Sequence, residues 1–302
     1  MAPVPPVRTE STTRLLGPEA WGPLAAAHRA RAQRWTVPHL ERRHQGVSHP
    51  VEDFLFQYYN LSPGALERWH PGRHVGLVDS AEHAALGAYV TIDGVSRADL
   101  TRVERRLSGL RWTAELLRRT AERPGRWGCF GLHEWAMVYR QPAERRHDGV
   151  PLRLGAAGTD EVVRSHQLAC THVDAFRFFT PEGAERNPVR LTREVQLEHE
   201  QPGCLHVTMD LYRTSSRLLP FVESSIVLDT FELACDARQI DMRASPYDLR
   251  EFGLDPIAVE TPEGKATYVR EQRRLAELAA PLRQRLLEHV TDLLTESDSA
   301  SH

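Results

Sequence analysis

The chain has 302 residues, long enough to bury a full hydrophobic core, and its 41% apolar and 26% charged content excludes disordered, collagen-like and membrane-embedded classes. Lys and Arg number 38 against 41 Asp and Glu, for a net charge of −3, so the basic surplus typical of tight duplex binders is missing. All the basic side chains are arginine except Lys265, a bias that fits a GC-rich genome better than nucleic-acid binding.

Residues 1–18 are rich in Pro, Ser and Thr without periodicity, and residues 297–302 are polar, so both ends are expected to be disordered. The N-terminus lacks an apolar signal core, and no run approaches the roughly 18 to 20 apolar residues that span a bilayer. A cytoplasmic protein without a membrane partner is expected. Cys129, Cys170, Cys204 and Cys235 form no Cys-x-x-Cys pair and read as reduced thiols.

Residues 21–43 read as a helix, and Pro50 with Glu52 and Asp53 marks a second helix start, placing Leu55, Tyr58 and Tyr59 on one face. The glycines and prolines of 61–95 predict a loop with one hairpin drawn from the runs VGLV and AYVTI. Ser96 and Asp99 resemble a capping box opening a helix, with Leu100, Val103, Leu107, Leu110, Ala114 and Leu117 as its apolar stripe up to Pro124-Gly125. Thr159 is placed as a helix cap, as is Thr180 before Pro181. Residues 191–233 read as mostly helical with a break at Pro202-Gly203. Thr261-Pro262 begins the last long helix, with a kink expected near Pro281. The expected fold is mainly α: a helical single domain over 19–296 with a small β element between about residues 75 and 155.

Ionisable side chains sit within apolar, aromatic strings at GLHEWAMVY, HQLACTHVDAFRFFT, EQPGCLHVTMDLYR and DMRASPYDL. Burying such groups is costly unless they are paired or bind a ligand, so chemistry is expected between about residues 130 and 250. His133 and Glu134 are adjacent and point about 100° apart on a helix, with Glu134 the better acid or base. His172 and Asp174 share a face if extended, and His206 and Asp210 share a helical face one turn apart. Asp241 and Asp248 flank a proline-containing break that suits either a loop entering a site or a capped turn. Dinucleotide-binding, phosphate-loop and nucleophile-elbow signatures are absent.

The strings HPVEDFLFQYYNLSPGALERWHPG, GCFGLHEWAMVYR, CTHVDAFRFFT, EQPGCLHVTMDLYR and DMRASPYDL resemble an actinobacterial family usually labelled 3-methyladenine DNA glycosylase, over a stretch from about His49 to the final helix. The resemblance implies release of an alkylated purine from DNA or a nucleoside, without a cofactor. A flipped base would stack on aromatic side chains, among them Tyr58, Tyr59, Trp69, Trp135, Phe176 and Phe178. The catalytic candidates are Glu134, Asp174, Asp210 and His133, with Tyr58, Trp69, Trp135, Arg177, Tyr212, Tyr247 and Asp248 as substrate contacts. Arg102, Arg105, Arg106, Arg118 and Arg119 would supply a local basic patch.

The residue types also support a second reading: a metal-dependent enzyme, a non-haem iron oxygenase or a metallohydrolase, acting on a small metabolite. Iron or zinc would be held by His133, His172, His206 and Asp210. A non-catalytic ligand-binding protein is a third class, less suited to so many embedded acids and bases.

Overall fold

The computed structural model describes residues 14–140 and 149–300. In chain order its elements are β1 (Arg14–Leu16), α1 (Pro18–His44), α2 (Phe54–Tyr58), α3 (Pro63–Glu67), β2 (Val75–Val78), α4 (Ala81–Ala84), β3 (Tyr89–Ile92), β4 (Val95–Ala98), α5 (Thr101–Glu104) and α6 (Leu107–Glu122). There follow α7 (Leu132–Ala136), α8 (Gly155–Ser165), α9 (Val173–Phe176), α10 (Pro181–Ala184), α11 (Gln196–His199), α12 (Leu205–Arg217), α13 (Ser224–Arg243) and α14 (Pro262–Ala300). The protein is mainly α with one small sheet.

The sheet has the order β1-β2-β4-β3, with β1 parallel to β2 and the other neighbours antiparallel. Asp93 and Gly94 both take positive φ and join β3 to β4, the two-residue turn that matches the twist of paired strands. The hairpin therefore pairs the run AYVTI with Val95–Ala98, and VGLV lies on the other side of β4. This overturns the helix start at Ser96: its hydroxyl bonds Thr91 Oγ1 across the hairpin at 2.9 Å. Asp99 forms no capping box with Ser96; it accepts from the Thr101 backbone N–H at 3.1 Å ahead of α5, and the long helix starts only at Leu107. Val103, Leu110 and Leu117 of the anticipated stripe are buried, whereas Leu100 is exposed.

Other local expectations shift in the same way. Residues 14–16 form β1, so part of the segment expected to be disordered is a strand; residues 1–13 lie outside the described residues. Pro50 falls in a turn and the helix begins at Phe54. Thr159 lies inside α8, where its hydroxyl donates to Gly155 O at 2.7 Å. Thr180 caps α10 as expected, accepting from Gly183 N–H. The 191–233 stretch breaks again between α12 and α13, at Pro220, and α14 runs on through Ala300 rather than ending before residue 297.

Helices α12, α13 and α14 pack together around a core that includes Met209, Tyr212, Phe231, Ala234 and Leu275, and α6 lies against α14. Burying each of the larger apolar side chains contributes roughly 1.5–3 kcal/mol. Helix α1 is fastened to α13 by Arg31, which reaches Asp229 at 2.8 Å and Glu232 at 2.7 Å. A smaller cluster of Val51, Val138, Val150, Met242, Tyr247 and Leu249 covers one end of α13. The anticipated basic patch is laced with carboxylates: Arg118 pairs with Glu115 and Glu122, Arg119 with Glu115, and Arg102 with Asp99. Such pairing removes the unbroken positive stripe that phosphate contacts need. Among the described residues no helix is long and apolar enough to cross a membrane, and all four cysteines are free thiols.

Candidate functional site

Helix α7 is aimed by the two residues before it. Phe130 and Gly131 both have positive φ, and a β-carbon on Gly131 would lie 3.1 Å from Ala244 Cβ and 3.3 Å from the Tyr268 ring. Glycine lets the chain reverse against α13 and α14 so that His133 and Glu134 both face the core. His133 Nε2 shares a proton with Asp241 Oδ1 at 2.7 Å, and its Nδ1 lies 3.4 Å from Cys129 Sγ. One turn back on α13, the buried Arg238 donates from Nη1 to Glu134 Oε1 at 3.0 Å and to Asp241 Oδ2 at 3.2 Å.

His206, from the first turn of α12, stands edge-on to His133 at 4.6 Å and stacks on His172 at 5.3 Å. Its Nδ1 is enclosed and has no hydrogen-bond partner among the described residues. His172 caps α9: Nδ1 accepts the Ala175 backbone N–H at 3.1 Å, which places the ring proton on Nε2. That Nε2 donates to Asp210 Oδ2 at 3.1 Å, with Glu200 Oε1 at 3.6 Å. Asp210 also accepts from Tyr59 Oη at 3.1 Å, and Arg213 bridges Asp210 to Asp174. The result is a polar spine through the core, from Asp241 through three imidazoles to Asp210, Arg213 and Asp174.

Burial disfavours charge along this spine and the neighbours decide each outcome. For His133 the Asp241 carboxylate overrides desolvation and holds the imidazole pKa well above its usual range. His206 goes the other way: burial and the neighbouring His133 push it well below. Burial raises Glu134, with the Arg238 guanidinium opposing. Asp210 is held at about 2, since Arg213 and His172 outweigh desolvation.

Among the described residues, one group can hold a metal ion: His133, Glu134, His206 and Asp241 each offer a donor atom, all within 4.8 Å of one another. Four donors about 2.1 Å from a tetrahedral ion lie about 3.4 Å from one another, so the group has to contract to close around a cation. The anticipated ligand set is not the group that converges here: His172 and Asp210 belong to the Arg213 group, both His172 nitrogens are engaged, and Asp241 lies beside His133 and His206 instead. Nor do the anticipated pairs form: His172 is held by Asp210 rather than Asp174, and no hydrogen bond joins His206 to Asp210.

The anticipated substrate contacts divide. Tyr58 and Arg177 line a cleft whose wall also carries Asp174 and Arg213. Trp135 is fully buried, donating to Ala244 O at 2.8 Å, and Tyr212 is fully buried against Phe231, so neither face is open to a base. Phe176 is buried against Phe179. Trp69 lies beside the sheet, edge-on to His83. Tyr247 belongs to the smaller apolar cluster, and Asp248 closes a capped turn, accepting from Arg250 Nε at 2.8 Å. Sequence reasoning missed Arg238 and Glu200, and did not place Asp241 beside His133 and Glu134. The one available signal was the i, i+3 spacing of Arg238 and Asp241, two ionisable side chains among the apolar Ala237, Ile240 and Met242 of α13.

Comparison with known proteins finds no matching family model, and no curated protein or solved structure of significant similarity.

Proposed function

We propose that the protein is a metal-dependent enzyme acting on a small metabolite, with an iron or zinc ion held by His133, His206, Asp241 and Glu134. The observation that carries this reading is the convergence of these four donors in the core, one of them a histidine with an enclosed nitrogen that has no partner among the described residues. Leaving such a group without a partner costs roughly 1–3 kcal/mol, a penalty that a bound ligand removes. Two imidazoles and two carboxylates suit a borderline first-row cation better than magnesium or calcium.

With both histidines neutral, Glu134, Asp241 and Arg238 sum to one negative charge, and a divalent ion would displace the proton now shared by His133 and Asp241, which makes ion binding pH-dependent. Cys129 would fix the ring orientation of His133 from its other nitrogen. A bound ion supplies Lewis acidity at the centre, and the protein supplies a dry, rigid surround.

Elemental analysis for iron, zinc, manganese and copper, on protein purified without tag or chelator, is expected to find about one ion per chain. His206→Ala and Asp241→Asn are each expected to lose it while circular dichroism still reports a folded helical protein. Full retention in both variants rejects the assignment. Iron directs the next assay to oxygen consumption, and zinc to hydrolysis.

A glycosylase reading rests on the resemblance and on one arrangement: Tyr58 and Phe178 edge the same cleft as Asp174. It needs a carboxylate free to face a cationic sugar, and Asp174 is already bound by Arg213 and Arg193. Under this reading Asp174→Asn abolishes release of alkylated purine from DNA and nucleosides, and undetectable release by the unaltered protein removes it.

A further inference from the structure

Beside the histidine spine, at the end of α2 and along one face of α12, lies a solvent-facing cleft of about 480 Å³. Its wall carries Arg177, Arg193, Arg213 and Arg217, and among the described residues Asp174 is the only carboxylate in the lining. Counting Asp210 behind it, four guanidinium groups face two carboxylates, so the cleft keeps two positive charges.

These arginines differ in how far they are committed. Arg213 bridges Asp174 and Asp210, and Arg193 reaches Asp174 at 3.2 Å and Gln196 at 2.7 Å. Arg177 comes no closer to Asp174 than 4.0 Å and lies over the Phe178 ring at 4.6 Å. Arg217 is exposed; its backbone carbonyl accepts from Arg106, and its guanidinium has no partner among the described residues. Two exposed guanidinium forks thus stand on the same wall as the Arg213 pairs. Two aromatic rings share the cleft, the half-buried Tyr58 and the exposed Phe178.

We propose that this cleft binds a small phosphorylated molecule bearing a planar ring, its phosphate among the guanidinium groups of Arg177 and Arg217 and its ring against Tyr58 or Phe178. Guanidinium is planar, always charged and fork-shaped, and two forks around one anion match the three oxygens of a phosphate dianion better than the two of a carboxylate. A planar ring beside the anion gains stacking on the aromatic faces. The same positive charge repels a cationic ligand. This inference is independent of the metal centre, because it is read by binding rather than by turnover.

The test is calorimetric titration of the full chain with adenosine 5′-monophosphate, and separately with adenosine and with inorganic phosphate. The nucleotide is expected to bind with a dissociation constant of about 1 mM or tighter, more tightly than either fragment. Arg177→Ala and Arg217→Ala should each weaken it about tenfold without shifting the melting temperature, since both side chains are exposed. Arg105→Ala, exposed and outside the cleft, should leave it unchanged. The proposal is overturned if the nucleotide shows no saturable binding, if adenosine binds as tightly, or if Arg105→Ala weakens binding as much as the cleft variants do.

Discussion

Arg213→Leu is expected to destabilise the protein by about 3 kcal/mol at about pH 7, because it removes the guanidinium that two carboxylates share and leaves Asp174 to Arg193 and Asp210 to His172 and Tyr59. Burial by itself raises the pKa of both Asp174 and Asp210, and Arg213 overrides it, leaving Asp174 below the usual range and Asp210 at about 2. A carboxyl with a depressed folded pKa contributes stability that is present above its unfolded pKa of about 3.9 and lost as pH falls through the folded value. The unaltered protein should therefore lose stability between about pH 4 and pH 2 through this pair. In Arg213→Leu the carboxyls take up protons more readily, so the gap between the two proteins narrows on acidification. Urea unfolding at about pH 7 and about pH 3 measures both gaps, and an equal gap at the two values contradicts this account.

Trp135→Ala carries the second large effect. Its ring is fully buried between α7 and the end of α13, its indole N–H donates to Ala244 O at 2.8 Å, and Arg153 lies over the ring at 5.0 Å. Truncation removes the transfer free energy, opens a cavity and leaves the Ala244 carbonyl unsatisfied, at a combined cost of roughly 3–5 kcal/mol. That is a large fraction of the roughly 5–15 kcal/mol that holds a domain together. Trp135→Phe keeps most of the packing and should lose less. Denaturant midpoints for the two variants test the assignment, and a loss below about 1 kcal/mol in the alanine variant would mean that the residue is not a core anchor. The same burial is why this tryptophan cannot stack on an extruded base, although its aromatic, histidine-flanked string invites that reading.

The neighbourhoods of the candidate site were visible in the sequence, while the partnerships within them were not. Each polar string singled out for its ionisable residues contributes to the spine: His133 and Glu134, then His172 and Asp174, then His206 and Asp210, then Asp241. Embedding charge in apolar sequence is expensive and has to be compensated somewhere, which is why composition alone located them. The i, i+4 spacing of His206 and Asp210 nevertheless misled. Both lie on one face of α12, but Asp210 is taken by Tyr59, His172 and Arg213, leaving His206 to the His133 group. Spacing reports which residues can share a face and not which neighbour from another element reaches that face first.

By itself the sequence determined what rests on short-range physics. The helical class, the long α1 and α14 helices and the Thr180 cap follow from residue propensities, apolar periodicity and hydrogen bonds that span three or four residues. Only the tertiary structure decided that Ser96 pairs in a hairpin, that Trp135 and Tyr212 are core, and that His133 meets Asp241 across 108 positions. Those outcomes depend on how α7, α12 and α13 pack, and packing selects among locally equivalent arrangements by burying apolar area and satisfying every buried charge at once.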